Sequence, residues 1–147
     1  AAPSFVAGHS LGEFSAHVAA GSLGFADALR LVRKRGEYMQ TAVPEGAGAM
    51  AAVLKLERAE VERICRETPG IVEIANLNAP GQTVVSGEAP AVASALERFR
   101  AGGARVVPLA VSAPFHCSLM KPAALQLARE LAAATFRPLR CGLVCNV

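Results

Sequence analysis

Apolar and polar positions in the first third of the chain predict a strand, a turn and two helices. Residues 4–7 form an apolar run typical of a strand, and residues 8–12 contain two glycines typical of a turn. A helix is predicted over residues 13–20, with Gly21 closing it at the C′ position. A longer helix is predicted over residues 25–43, ending before a proline.

The middle of the chain has a different pattern, in which short predicted strands and helices follow one another. Strands are predicted over residues 49–56, 71–76, 82–87 and 104–111, with an Asn-Ala-Pro-Gly turn at 78–81. Two helices separate them, with apolar residues at helical spacing: Val61, Ile64 and Cys65 in the first, and Val92, Ala95, Leu96 and Phe99 in the second. The order βαββαβ predicts two helices on one face of a small antiparallel sheet, a unit suited to insertion in a larger domain.

The flanking segments are predicted to belong to one larger α/β domain that the middle unit interrupts. After the last predicted strand, a helix is predicted to start near Pro122, with Ala124, Leu127, Ala128 and Leu131 on one face. The chain opens without methionine on an apolar run and stops on another. We therefore expect it to be the middle part of a longer protein, so that the larger domain is incomplete.

Composition excludes several classes of protein. The 147 residues are 52% hydrophobic, enough for a globular core, and the net charge of +3 with 5% aromatic residues does not predict nucleic-acid binding. No signal peptide or bilayer-length apolar run is visible, so we expect a cytoplasmic protein with no membrane association. The four cysteines form no CxxC pair and are interpreted as reduced core thiols, with a metal site as the weaker alternative: Cys65, Cys117, Cys141 and Cys145.

Candidate chemistry begins with Ser10 in the pentapeptide Gly-His-Ser-Leu-Gly. This fits G-x-S-x-G, in which glycines allow a tight turn that presents the serine oxygen at the end of a strand. The backbone N–H of Leu11 would then help to hold an oxyanion at a helix N-terminus. The alternative is a serine that caps the following helix. The pentapeptide alone leaves both interpretations open.

A nucleophilic serine needs a base, and the chain offers three histidines. His9 adjoins Ser10 but leaves the turn in another direction, and His17 lies inside a predicted helix. His116 lies in an irregular stretch where the chain returns to the larger domain, so it is the favoured base. The only aspartate, Asp27, is interpreted as a helix-start residue, so a Ser10/His116 dyad without a carboxylate is predicted.

Arg35 lies on the apolar side of the second helix. It is four residues after Leu31 and four before Met39, both of which belong to the apolar stripe. A guanidinium at such a position either extends to the surface or meets an anion, and spacing alone slightly favours the surface. If the anion is a substrate carboxylate, the planar guanidinium is suited to bind it with two hydrogen bonds.

Several separated motifs resemble one family. "GHSLGEFSA", "FADALRLVRKRGEYMQ", "AVPEGAGAMAAV", "NLNAPGQTVVSG" and "VSAPFHCSLMKPA" follow one another in family order across essentially the whole chain. The chain resembles the malonyl-CoA:acyl carrier protein transacylases of fatty acid synthesis and, slightly less closely, the acyltransferase domains of polyketide synthases. "APFH" is similar to the tetrapeptide of malonyl-selective members.

The resemblance implies a fold and a set of site residues. It implies an α/β-hydrolase-like parallel-sheet domain, formed in part by residues 1–46 and 111–147, with an inserted ferredoxin-like subdomain over 47–110. It implies Ser10 and His116 as the catalytic dyad and Arg35 as the clamp on a malonyl carboxylate. Asn76 and Asn78 match a segment that lines the cleft. The family's Gly-Gln-Gly segment and histidine-orienting loop are not found in these residues.

The function implied is malonyl transfer from malonyl-CoA to the phosphopantetheine thiol of acyl carrier protein through a serine acyl-enzyme. No tightly bound cofactor or metal is expected, and a monomer is the default. Alternatives are a polyketide synthase acyltransferase domain, a serine hydrolase, or a non-catalytic module that docks carrier proteins. For the last, an acidic partner would meet basic residues such as Arg98, Arg100 or Lys121, which are equally typical of solvated surface.

Overall fold

The computed structural model describes residues 3–146 of the chain. The elements are β1 (Phe5–Ala7), α1 (Gly12–Ala19), α2 (Phe25–Thr41), β2 (Gly48–Leu54), α3 (Arg58–Glu67), β3 (Val72–Ala79), β4 (Gln82–Glu88), α4 (Ala89–Ala101), β5 (Arg105–Pro108), α5 (Lys121–Ala133) and β6 (Gly142–Val144). A short 3-10 helix, Ser118–Met120, directly precedes α5. The chain forms two compact units, Ala1–Glu37 with Leu125–Val147 and Tyr38–Ala124. The domain bounds at residues 46 and 110 stay a prediction.

The second unit contains the predicted βαββαβ arrangement. Its four strands form an antiparallel sheet in the order β3-β4-β2-β5, which is the strand order of a ferredoxin-like fold. The predicted apolar positions of α3 and α4 are all buried. They share one core with the helix-facing residues of the sheet, and the members of that core with no exposed surface are Ala51, Val53, Val61, Val85, Ala95 and Phe99.

The first unit is built on a parallel strand pair. β1 and β6 lie side by side with Ala7 opposite Val144, so their carboxyl ends meet at one edge. Gly21, with φ of 75°, follows the end of α1, and the N–H of Ser22 donates to the His17 carbonyl as in a Schellman motif. The predicted C′ role of Gly21 is confirmed. The core is small: Leu23, Ala28 and Leu31, with Phe14, Val18, Leu131 and Ala134 packed against them.

Several elements differ from the predictions. β2 ends at Leu54 rather than at residue 56, and β5 ends at Pro108 rather than at residue 111. α2 ends at Thr41 rather than at residue 43, because a residue that precedes proline is disfavoured in the helical conformation. β3 continues to Ala79, because Pro80 and Gly81, with φ of 66° at the glycine, make a two-residue turn. On α5 only part of the predicted face is covered: Leu127 and Leu131 are half-buried, whereas Ala124 and Ala128 are exposed. No helix in the described part of the chain is both long and apolar enough to cross a membrane.

Candidate active site

Ser10 lies on a sharp turn between β1 and α1. Its φ is 53°, in the left-handed region that costs a residue with a side chain about 1 kcal/mol or more. Gly8 makes the turn possible, because a Cβ atom added there would lie 1.9 Å from the carbonyl oxygen of Gly12. The turn therefore has the geometry typical of a nucleophile elbow, which presents its serine beyond the end of a strand.

The capping interpretation of Ser10 is wrong. The N-cap residue of α1 is Leu11, and this helix has no side-chain capping hydrogen bond. A serine cap has an extended backbone and accepts from a helix N–H, whereas the backbone of Ser10 is left-handed and its Oγ accepts from Arg35. The hydroxyl is thus available for a role other than helix capping.

Leu11 supplies a backbone donor beside this hydroxyl. The N–H groups of Gly12, Glu13 and Phe14 donate to carbonyls of the turn, at 2.9, 3.2 and 3.1 Å. Within residues 3–146, no hydrogen-bond acceptor meets the N–H of Leu11. An unoccupied N–H at the start of a helix is suited to stabilise negative charge on an oxygen bound next to Ser10.

Arg35 is half-buried, and its Nη2 donates to Ser10 Oγ at 2.9 Å. Burial lowers the pKa of this guanidinium below its ordinary value. Within the described residues it forms no ion pair with a carboxylate, whereas the other cations of α2 are all paired: Arg30 with Asp27, Arg33 with Glu37 and Lys34 with Glu130. Whether this guanidinium extends to the surface or meets an anion stays a prediction, and it has donors available for an anion.

Asn146 is a neighbour of Ser10 that sequence reasoning missed. Its Oδ1 accepts from the N–H of Ser10 at 2.8 Å, and its own N–H donates to Glu13 Oε2 at 3.4 Å. Asn146 follows β6 as Ser10 follows β1, and the carboxyl ends of parallel strands meet at one edge. A polar residue directly after the last apolar run is the signal that could have identified it.

His116 lies in the loop between β5 and the helices that follow. It is exposed, and its φ of 61° is again left-handed. Pro114, two residues earlier, is fully buried, and the Cys117 thiol donates to the Pro114 carbonyl at 3.1 Å. The loop therefore holds the histidine side chain outside the core of its unit.

Asn76 lies on β3 as predicted, and Asn78 lies on β3 rather than in the predicted turn. The pairing of β3 with β4 is irregular at two places, between Ile74 and Asn76 and between Leu77 and Ala79. Asn76 is half-buried, whereas Asn78 is exposed and has no partner in the register. The assignment of Asn78 to the turn is wrong, because the two-residue turn leaves it inside the irregular strand.

Of the other two histidines, His17 fits the role predicted for it, and the direction of the His9 side chain stays a prediction. His9 is exposed. His17 is half-buried, lies 3.3 Å from Ser22 Oγ through Nδ1, and makes an edge-to-face contact with Phe136 at 5.5 Å. His17 is thus a packed helix residue.

The prediction that the cysteines are reduced core thiols is confirmed only in part. All four cysteines are free, but only Cys65 is a buried core residue; Cys117 and Cys141 are half-buried and Cys145 is exposed. No group of three potential metal ligands occurs within the described residues.

Arg98 is paired with Glu67 and Arg100 with Glu97, as expected of a solvated surface.

The predicted site residues fall into two groups. Ser10, Leu11 and Arg35 belong to the first compact unit, and the structure brings Ser10 and Arg35 into direct contact. His116, Asn76 and Asn78 belong to the second unit. The first group combines a hydroxyl on a strained turn, a free backbone donor and an unpaired guanidinium. Such a set can bind an acyl group that carries a carboxylate.

Comparison with known proteins agrees with this chemistry. A family model for the acyl transferase domain matches residues 1–144, so the chain belongs to the acyl transferase domain family. It is 52% identical over 149 residues to the malonyl CoA-acyl carrier protein transacylase of Escherichia coli (strain K12), covering 99% of this chain and 48% of that protein. The corresponding protein of Bacillus subtilis (strain 168) is 49% identical over 149 residues, covering 99% of this chain and 47% of that protein.

Solved structures of transacylases have the same fold. The malonyl CoA-acyl carrier protein transacylase of Coxiella burnetii superposes with a TM-score of 0.96 at 46% identity, covering 99% of this chain and 47% of that one. A malonyl-transacylase solved in complex with a type II PKS acyl-carrier protein superposes with a TM-score of 0.97 at 49% identity. The match covers 100% of this chain and 48% of that one. The resemblance and the α/β fold class predicted from sequence are confirmed. The chain spans about half the length of these relatives.

Proposed function

We propose that the protein carrying this chain transfers a malonyl group from malonyl-CoA to the phosphopantetheine thiol of an acyl carrier protein. The observation that carries the proposal is the contact between Arg35 and Ser10, in which an unpaired guanidinium donates to a serine hydroxyl on a strained turn. The relatives named as malonyl CoA-acyl carrier protein transacylases support the choice of substrates.

In the first half-reaction, Ser10 Oγ attacks the thioester carbonyl while His116 accepts its proton. The N–H of Leu11 donates to the oxyanion of the tetrahedral intermediate. When the intermediate collapses, the carbon–sulfur bond breaks, and the CoA thiolate leaves with the proton from His116. The malonyl group is then held as an ester of Ser10.

The second half-reaction reverses these steps with a new thiol. The phosphopantetheine thiol gives its proton to His116 and attacks the ester, and Ser10 recovers the proton as the thioester forms. No tightly bound cofactor takes part, and the protein is proposed to act in the cytoplasm as a monomer. The carrier is that of fatty acid synthesis; the relative solved with a type II PKS acyl-carrier protein makes a polyketide carrier the second candidate acceptor.

Arg35 is proposed to select the acyl group. A malonyl carboxylate would pair with the guanidinium through two hydrogen bonds, whereas an acetyl group would leave the half-buried charge unpaired. Asn76 and Asn78 are proposed to line the substrate cleft, as the family resemblance implies. The backbone of the Ser10 turn serves both acyl groups equally.

Acyl-enzyme formation is the direct test of the proposed function. The protein carrying this chain is exposed briefly to malonyl-CoA and its intact mass is measured beside that of Ser10→Ala. A malonyl-sized increase in the parent alone is expected. Carrier-protein binding without any increase would instead favour a docking module, and release of malonate with no thiol acceptor would favour a hydrolase.

Selectivity is tested with Arg35→Ala and a matched control on the same helix. Two charge-assisted hydrogen bonds together contribute about 3 kcal/mol, so malonyl transfer by Arg35→Ala should fall on the order of 100-fold. Acetyl transfer should change only a few-fold. Arg33→Ala removes an exposed arginine already paired with Glu37 and should leave both rates unchanged. An equal loss of malonyl and acetyl transfer in Arg35→Ala would contradict the assigned role.

A further inference from the structure

The loop that carries His116 needs external support, because a left-handed residue with a side chain is unstable on its own. Upstream of the histidine, Pro114 packs against Gly48 on β2 so closely that a Cβ atom on the glycine would lie 2.4 Å from the proline ring. This contact fixes the loop before the histidine. A second contact is needed after it.

That second contact is made by Glu73 on β3. Its Oε2 accepts from the N–H of Ser118 at 2.6 Å, two residues beyond His116. Ser118 begins the 3-10 helix that leads into α5, so the carboxylate lies at the start of a helical segment. A negative charge at this end of a helix is favourable, and hydrogen bonds to a charged acceptor are the stronger kind.

Glu73 takes the place of a missing local cap. The N-cap residue of this segment is Cys117, which makes no side-chain capping hydrogen bond and directs its thiol to the Pro114 carbonyl. Serine, threonine, aspartate or asparagine would normally satisfy a helix N–H from that position. Here an acid from a strand far away in the sequence does so.

We propose that Glu73 is a positioning residue that holds the His116 backbone for proton transfer. The inference rests on the proposed function, in which His116 is the base. Glu73 contacts the loop at the Ser118 N–H, so its proposed action is through the backbone of residues 116–118. The role requires a hydrogen-bond acceptor at this place and does not require its charge.

The experiment measures the first-order rate constant of acyl-enzyme formation at saturating malonyl-CoA in the protein carrying this chain. Partial unfolding lowers the amplitude of this reaction but not its rate constant, so a merely structural role leaves the constant unchanged. Glu73→Ala should lower it about tenfold or more, because small displacements of reacting groups are costly. The half-saturating malonyl-CoA concentration should stay within about twofold, because a residue that acts through the loop backbone is not expected to contribute to substrate binding.

Glu73→Gln and Ser86→Ala are the matched variants. Glu73→Gln keeps an oxygen acceptor for Ser118 and should retain the parent's rate constant within about threefold. Ser86 is opposite Glu73 in the β3–β4 register, and its buried hydroxyl has no hydrogen-bond partner within the described residues. Ser86→Ala should therefore match the parent. If Glu73→Ala does not fold, Glu73→Asp, which withdraws the carboxylate by one methylene, should give the same kind of loss.

The outcomes separate this inference from the proposed function. Absence of Ser10-dependent acylation in the parent protein refutes the proposed function itself. Normal acylation in the parent, with the same rate constant in folded Glu73→Ala or Glu73→Asp, overturns only the role of Glu73. A Glu73→Gln variant as slow as Glu73→Ala overturns the acceptor role as well.

Discussion

Ser10 and His116 both have left-handed backbones, with φ of 53° and 61°, but the chain supports the two residues in different ways. The Ser10 turn is built almost entirely within five residues. Gly8 allows the backbone to approach Gly12, and the Gly12 N–H donates to the His9 carbonyl at 2.9 Å. The His116 loop instead depends on residues far away in the sequence, a glycine on β2 and a glutamate on β3.

Because of this difference, the Ser10 turn can be recognised from the sequence and the His116 loop cannot. The residues that shape the Ser10 turn are contiguous, so one pentapeptide contains them. The residues that shape the His116 loop are brought to it by the antiparallel sheet, so no local pattern reveals them. Substitutions at distant positions should therefore disturb His116 more than they disturb Ser10.

The largest effect is expected from Gly8→Ala. The new Cβ atom would lie 1.9 Å from the Gly12 carbonyl oxygen, so the turn has to move. Acylation should fall by ~100-fold or more, because a displacement of about 1 Å has that effect on a reacting group. Rapid-quench measurement of acyl-enzyme formation is the check. The second glycine of the motif is the control: Gly12 has no atom within 4 Å of its Cβ position, so Gly12→Ala should retain stability or gain up to ~1 kcal/mol.

Gly48→Ala should disturb the other site residue from a distance. Its Cβ atom would lie 2.4 Å from the Pro114 ring, which is fully buried, so the loop or β2 has to shift. We expect a loss of roughly 1–3 kcal/mol in the free energy of unfolding and a slower acylation step. Urea unfolding and the acylation rate constant test this together. Gly36→Ala, at an open position on α2, should instead stabilise the protein by about 1 kcal/mol.

Asn146→Ala should have a smaller effect on the Ser10 turn. It removes the acceptor of the Ser10 N–H, but water can replace an exposed partner. Acylation should slow only about threefold to tenfold, as for the loss of one hydrogen bond of about 1 kcal/mol. Asn146→Asp keeps an oxygen acceptor and should stay closer to the parent. A loss as large as that of Gly8→Ala would show that the turn is not supported mainly by its own five residues.

Thiol labelling needs no substitution and should report on the Ser10 turn and the His116 loop in one protein. Burial raises the pKa of the Cys65 thiol to about 11, so at pH 8 very little reactive thiolate exists there. The thiolate fraction, and hence labelling, should rise about tenfold per pH unit below that value. Desolvation and Glu13 also raise the pKa of the Cys145 thiol. Because Cys145 is exposed, it should still react before half-buried Cys117 in the His116 loop, and Cys65 should react last. Peptide mass spectrometry after timed alkylation shows the order, and early Cys65 labelling would contradict it.

The sequence predicted the second unit well because its helices are strongly amphipathic. Val61 and Ile64 on α3, and Val92 and Phe99 on α4, lie at helical spacing, and all four are buried. Two of the bounds that were wrong have local causes. Pro44 shortens α2, and the tight turn at Pro80 and Gly81 lengthens β3 beyond the expected loop.

The candidate site was predictable only where one segment contains it. Ser10 and Leu11 follow from the pentapeptide, and the spacing of Arg35 identified an unusual cation but did not predict its contact with Ser10. What the Arg35 guanidinium contacts depends on where α2 lies relative to the Ser10 turn. The spacing of residues along the helix does not encode this. Glu73 and Asn146 act through contacts between distant segments, so their roles require the folded chain.

The left-handed backbone of Ser10 also restricts which nucleophiles this turn could accept. A branched β-carbon is strongly disfavoured at positive φ, so threonine would be resisted by the backbone although its hydroxyl is chemically similar. Cysteine has an unbranched β-carbon and would meet no such barrier. The backbone therefore does not discriminate between a serine hydroxyl and a cysteine thiol at this position, whereas it excludes the secondary alcohol of threonine.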